Sequence, residues 1–216
     1  MELLSTALDL ILHIDKHLAD LLVAYGPWIY AILFFIVFME TGFVVTPFLP
    51  GDSLLFAAGA LAATGGLDVT VLLVSLTAAA ILGNIANYHI GRFVGPRVFT
   101  HKSRWLKQEH LLRAQHFYDK HGGKTIVISR FLPFLRTFAP FVAGAGRMNY
   151  LRFSLYNAAG GTAWVFSFVL LGYYFGTRPW VKQNFGLTIV AIIVISTIPA
   201  AVEVWRAWRR RKRTAA

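Results

Sequence analysis

Two carboxylates and two guanidiniums stand in the most apolar parts of this chain: Glu40, Asp52, Arg130 and Arg136. Glu40 closes a charge-free run over 21–39, and Asp52 follows a stretch broken by Pro47, Pro50 and Gly51. Arg130 and Arg136 bracket Phe131-Leu132-Pro133-Phe134-Leu135. The chemistry open to such a set is narrow. An arginine fork makes two parallel charge-assisted bonds to a phosphate. Burial and a neighbouring arginine pull a carboxylate's proton affinity in opposite directions. A ligand that takes the arginine would therefore let Glu40 or Asp52 exchange a proton. The competing reading is two structural salt bridges. Buried ion pairs are poor stability devices, which favours a site in which Arg130 and Arg136 hold an anionic group and Glu40 and Asp52 form the proton-coupling pair.

What must position these residues follows from composition. Of 216 residues, 56% are hydrophobic and 14% charged, against about one quarter charged in soluble domains. The formal net charge is +11 and cysteine is absent, which removes disulfides and thiolate metal sites. The basic residues lie between or after apolar runs, so they suit a membrane surface and not nucleic acid. No catalytic residue, metal site or cofactor is called for. His101, His110, His116 and His121 show no ligand spacing and read as solvated.

The expected fold is an all-α polytopic membrane protein with an inverted repeat, two re-entrant hairpins, three to four spanning helices and an N-terminal amphipathic helix. Residues 1–24 place Ser5, Asp9, His13, Lys16 and Asp20 on one stripe, as an interfacial helix would. A helix packed on the rest of the protein, or a span, remains open there. Residues 25–205 read as a single membrane domain. Hairpin 1 covers about 27–66, with Pro47, Pro50 and Gly51 as its breakers. A spanning helix covers 69–91, and a basic loop, 92–124, holds eight Lys or Arg against Glu109 and Asp119. Hairpin 2 covers about 125–146, with Pro133 and Pro140 as breakers. Spanning helices follow at 153–177 and 186–205, then a basic tail at 206–216. The positive-inside rule sets the loop and tail in the cytoplasm. Hairpin 2 then dips from the cytoplasmic side and hairpin 1 from the outer side.

The hairpins resemble each other. Pro47-Phe48-Leu49 matches Pro133-Phe134-Leu135, and Ala57-Ala58-Gly59-Ala60 matches Ala143-Gly144-Ala145-Gly146, both 86 positions apart. Tyr88-His89-Ile90-Gly91 matches Tyr173-Tyr174-Phe175-Gly176 at 85. Opposite entry sides make the repeat inverted, as in many secondary transporters. Asn84, Asn87, Tyr88 and Arg92 are candidates for cavity lining, with helix–helix hydrogen bonding the alternative for Asn84, Asn87 and Tyr88. Trp28, Trp164, Trp180 and Trp205 suit interfacial or packing positions. Gly- and Ala-rich stretches would permit dimerisation, which leaves a homo-oligomer open.

Glu40-Thr41-Gly42, the Pro47-to-Leu55 segment, Tyr88-x-Ile90-Gly91-Arg92, and Ser129-Arg130-Phe131-x-Pro133-x-x-Arg136-Thr137 followed by Ala143-Gly144 together resemble the DedA family of bacterial inner-membrane proteins. That family sits in a wider group with the eukaryotic SNARE-associated (VTT-domain) lipid scramblases. The resemblance covers nearly the whole chain and looks strongest to the member that names the family. It implies a flippase or scramblase for phosphate-bearing lipids such as undecaprenyl phosphate or a phospholipid, with proton coupling and a role in envelope integrity. It places the essential acidic pair on Glu40 and Asp52 and the essential arginines on Arg130 and Arg136. Some relatives carry an acidic residue where Asn84 stands. Two other classes compete. One is a lipid phosphatase; Ser129-Arg130 starts an SRxxxxxH block, but position 136 is Arg where His is required, and no PSGH occurs. The other is a non-transporting structural protein or ion exchanger. The sequence favours the transporter over the enzyme.

Overall fold

The computed structural model describes residues 14–43, 51–98, 123–192 and 194. Ser5, Asp9, His13, Pro47, Pro50, the four loop histidines and the tail 206–216 lie outside the described residues. All regular elements described are helices: α1 (Ile14–Tyr25), a 3-10 turn (Gly26–Trp28), α2 (Ile29–Gly42), α3 (Gly51–Ala63), α4 (Val69–Val98), α5 (Lys124–Ser129), α6 (Pro133–Ala145), α7 (Tyr150–Phe175) and α8 (Pro179–Gln183). Helical backbone resumes over 185–192, so only the start of the helix expected at 186–205 is described.

Local chemistry sets the boundaries. Gly26 at φ 52° and Pro27 bend the chain between α1 and α2. The Asp68 carboxylate accepts from the N–H groups of Thr70 and Val71 at 2.8 and 2.9 Å and caps α4. Asn149 caps α7 by accepting from the Arg152 N–H at 3.1 Å. Leu132 is extended, as a residue before proline should be, and Pro133 opens α6 at the position where a missing N–H costs nothing.

Two expectations change here. Pro140 does not break hairpin 2; it lies inside α6. It forfeits one backbone bond, which surrounding packing can outweigh, because Pro140 is buried. The helix expected to stop at Gly91 runs on to Val98 through Arg92, whose side chain is exposed. An arginine that points outward does not end a helix. The start of the expected basic loop is therefore helical.

Among the described residues three stretches are long and apolar enough to cross a membrane: Asp20–Gly42, Val69–Gly95 and Tyr150–Phe175. By contrast α3 and α6 have 13 residues each, about 20 Å against a hydrocarbon core of about 30 Å. Large apolar side chains cover the outside, among them Val74, Leu151, Leu155 and Tyr174, while Glu40, Arg130, Arg136, Asn84, Asn87 and Asn157 are buried. That inside-out distribution suits lipid as solvent. The described half of the N-terminal segment is docked, with Leu18 in the core.

The short helices are keyed to the long ones by glycine. A Cβ on Gly59 of α3 would strike the Val169 carbonyl of α7; one on Gly172 would strike the Phe56 carbonyl; one on Gly176 would strike Ala60. The α4–α6 contact uses the same key. Gly144 would strike the Tyr88 carbonyl, Gly91 the Phe141 carbonyl and Gly95 Ala145. Phe56, Gly59 and Ala60 thus match Phe141, Gly144 and Ala145, each 85 positions on, and Tyr88, Gly91 and Gly95 match Val169, Gly172 and Gly176, each 81 positions on. The sequence pairing of Gly91 with Gly176 is therefore one helical turn out of register with the packing. Gly91→Ala and Gly172→Ala are expected to lower thermal stability in detergent by similar amounts, about 1–3 kcal/mol each, because a backbone carbonyl cannot rotate away. One variant at the wild-type Tm and the other far below it would contradict the match.

Candidate functional site

The last turn of α2 and the first turns of α3 and α6 converge inside the protein. Thr41 and Gly42 can end α2 against α4 because position 83 is glycine; a Cβ there would strike the Thr41 hydroxyl. That hydroxyl donates to the Val37 carbonyl at 2.8 Å. Asn87 of α4 then bolts two elements together. Its amide donates to the Thr41 carbonyl at 3.2 Å and to the Thr137 carbonyl at 2.7 Å. Glu40, in α2, and Arg136, in the first turn of α6, are thereby held on one centre.

Arg136 takes both carboxylates. Its Nη1 donates to Asp52 Oδ1 at 2.7 Å, and its Nη2 is paired with Glu40 Oε1. Asp52, in the first turn of α3, also accepts from the Trp164 indole N–H at 2.9 Å. The Trp164 ring is fully buried and lies 5.0 Å from the Arg136 guanidinium carbon and 6.0 Å from that of Arg130, within cation–π range.

Arg130 behaves differently. It sits in the turn between α5 and α6, 1% exposed. Its Nη2 donates to Asn157 Oδ1 at 2.6 Å and to the Ala80 carbonyl at 3.1 Å, while Nε and Nη1 have no hydrogen-bond partner. Gly160 and Gly161 of α7 make room for it; a Cβ on either would stand 3.2–3.3 Å from the guanidinium or its Cδ. Asn157 is itself fixed, donating to the Ile81 carbonyl at 3.0 Å and accepting from Asn84 at 3.1 Å. No carboxylate pairs with Arg130 among the described residues.

The four expected charges thus come together, but not as two pairs. Glu40, Asp52 and Arg136 form one triad of net charge −1, and Arg130 stands across Trp164 as a lone +1. Asn84 and Asn87 serve helix–helix hydrogen bonds, and Tyr88 donates to the Met148 carbonyl and stacks on Phe153 at 4.4 Å. Arg92 is exposed. Gly51, expected as a hairpin breaker, is the first residue of α3. Asn157 is an addition to which the sequence did not point, and Trp164, expected at an interfacial or packing position, is packed and also donates to Asp52. Their signal is position. Both lie well inside an uncharged span, where a tryptophan is out of place for an interfacial anchor.

The VTT domain matches residues 49–174. The chain is 51% identical to Protein DedA of Escherichia coli K12 over the full length of both. It is 41% identical to an uncharacterised membrane protein of Mycobacterium leprae, over 83% of this chain and 81% of that one. It is 38% identical to the inner membrane protein YqjA of Escherichia coli K12, over 70% of this chain and 69% of that one. No solved structure matches the chain.

Proposed function

The chain belongs to the DedA family of VTT-domain membrane proteins, and from that premise we propose that it moves a phosphate-bearing lipid between the leaflets of a bacterial inner membrane. The observation that carries the reading is Arg130. A buried guanidinium without a counter-ion is costly in a bilayer, and an anionic head group would supply the missing charge. Undecaprenyl phosphate and phospholipids both have the required chemistry. The net charge of −1 on the Glu40–Asp52–Arg136 triad beside it gives protons a place to exchange, so coupling to a proton gradient is part of the proposal.

The architecture proposed is that of an inverted repeat. The about 20 Å lengths of α3 and α6 suit re-entrant helices that meet near the bilayer middle, and the two glycine-keyed contacts suit a duplicated unit. The inner-membrane location draws on the printed name of the YqjA relative, and a cytoplasmic C-terminus follows from the basic tail.

The test is reconstitution. Purified protein in liposomes, given labelled polyprenyl phosphate or phospholipid with and without a pH gradient, is expected to equilibrate the label between leaflets faster than empty liposomes. Release of inorganic phosphate without label movement would favour the phosphatase reading. Neither movement nor release would leave a structural protein or ion exchanger.

A further inference from the structure

Glu40 occupies an unusual place. A Cβ built on Gly51 would overlap both oxygens of the Glu40 carboxylate. The carboxylate therefore lies directly on the first turn of α3, a 13-residue helix, where backbone N–H groups have no partners within the helix. The same carboxylate is paired with Arg136 Nη2. A helix N-terminus and an arginine guanidinium are features that bind phosphate elsewhere, and here they meet on one anion, with Nη2 of the fork on Glu40 and Nη1 on Asp52.

Glu40 also underuses this seat. Arg136 Nε has no hydrogen-bond partner, and neither do the hydroxyls of Ser53 and Thr137 in the first turns of α3 and α6. Ser53 and Thr137 are fully buried and Arg136 is 4% exposed. One carboxylate oxygen, Oε2, is without a partner as well. A carboxylate offers two oxygens in a plane, whereas a phosphate monoester offers three in a tetrahedron and carries more charge. The seat is thus not satisfied in full by its present occupant, one of whose two oxygens is unbonded. Gly51 is required by either occupant, because any side chain there would fill the seat.

We propose that the Glu40 carboxylate is an internal stand-in for substrate phosphate, holding the seat between Gly51 and Arg136 in this closed state, and that a phosphate monoester binds by displacing it. The inference rests on the lipid-phosphate reading above and extends it by naming the seat and the competitor. Asp52 stays on Arg136 Nη1 and Trp164, which keeps the fork oriented while Glu40 leaves. The displaced carboxylate is then free to take up a proton.

Equilibrium binding to the full-length protein in detergent tests this without requiring transport. The probes are inorganic phosphate and a short-chain polyprenyl phosphate. Glu40→Gln removes the competing anion but keeps its shape, and is expected to bind the phosphate probe at least ten-fold more tightly than wild type. Ser53→Ala in the same background is expected to lose part of that gain. Tighter binding of both probes identifies the phosphate itself as the ligand, and tighter binding of the lipid probe alone identifies a lipid-borne one. Unchanged or weaker binding of both probes by a Glu40→Gln protein with an unaltered Tm overturns the proposal. If that variant does not fold, infrared difference spectra of the wild type decide. Adding the lipid probe is expected to perturb a buried carboxylate band, and an unperturbed spectrum at saturating probe overturns it. Tight binding by Glu40→Gln together with static lipids in liposomes would leave the seat standing and remove the transport reading.

Discussion

Replacing Arg136 by methionine is expected to destabilise the protein by about 3–5 kcal/mol, the cost of leaving buried charges without their partner. Here one guanidinium serves two carboxylates, Glu40 and Asp52, which are 0% and 11% exposed at their side chains. Methionine keeps much of the volume, so the loss is electrostatic and not a cavity effect. On the scale of a 150–250-residue domain, that is a fall in Tm on the order of 10 °C, measurable by thermal unfolding in detergent. The decisive control is the triple variant with Glu40→Gln and Asp52→Asn. Removing all three charges together should recover most of the stability, because no charge of the triad is then left without its partner. A triple variant as unstable as Arg136→Met alone would mean that the triad is not held by charge.

Replacing Arg130 by methionine is expected to do the opposite: leave stability within about 1 kcal/mol of wild type while abolishing lipid movement. Arg130 has no carboxylate to strand, and two of its nitrogens are already without partners. Removing it relieves the desolvation cost of a buried charge that has no ion-pair partner, several kcal/mol in effect, and this offsets the loss of two accepted bonds, those of Asn157 and Ala80, each worth about 1.5–3 kcal/mol net. Asn157 Oδ1 keeps its bond from Asn84, so it is not orphaned. If an anionic head group is the missing counter-ion, losing the guanidinium costs about 2–5 kcal/mol of binding, a fall in transport of roughly 30-fold or more at about 1.4 kcal/mol per ten-fold. The two arginines lie six positions apart, yet the same substitution separates them into one whose loss is read first in stability and one whose loss is read in lipid movement alone. Equal loss of stability at both positions would sink that division.

The four charges were legible because ionisable groups in apolar sequence are rare, and their opposite signs pointed to a shared centre. Their division of labour was not. Arg130 through Arg136 read as one hairpin tip, but Pro133 starts a helix between them. One arginine is left in a turn against Asn157, and the other sits on a first turn against the carboxylates. Asn157 and the bond from Trp164 to Asp52 stayed hidden because an uncharged span read by hydropathy gives an asparagine or tryptophan no special weight. The extent of α4 was missed because Arg92 looked like an end, when its side chain faces outward. The likeness of the two halves was visible in the sequence, but the register of their packing was not. Runs such as Ala57-Ala58-Gly59-Ala60 and Ala143-Gly144-Ala145-Gly146 fit each other at more than one shift, and only the close approach of Gly59 to Val169 and of Gly144 to Tyr88 selects one.

The crossed keying of short to long helices has a consequence in time. α3 is complete once Ala63 has been made, but the residues that lock it, Val169, Gly172 and Gly176, emerge roughly a hundred residues later, a delay of roughly 5–20 s at ordinary synthesis rates of about 5–20 residues per second. For roughly the first two thirds of that delay Glu40 and Asp52 have no Arg136, and for nearly all of it Asp52 has no Trp164. Membrane insertion therefore includes a holding step, in which an apolar half-helix with an unpaired acid at its head waits for the second half of the chain. Whatever slows synthesis of residues 133–176 lengthens the most vulnerable interval in the life of this protein.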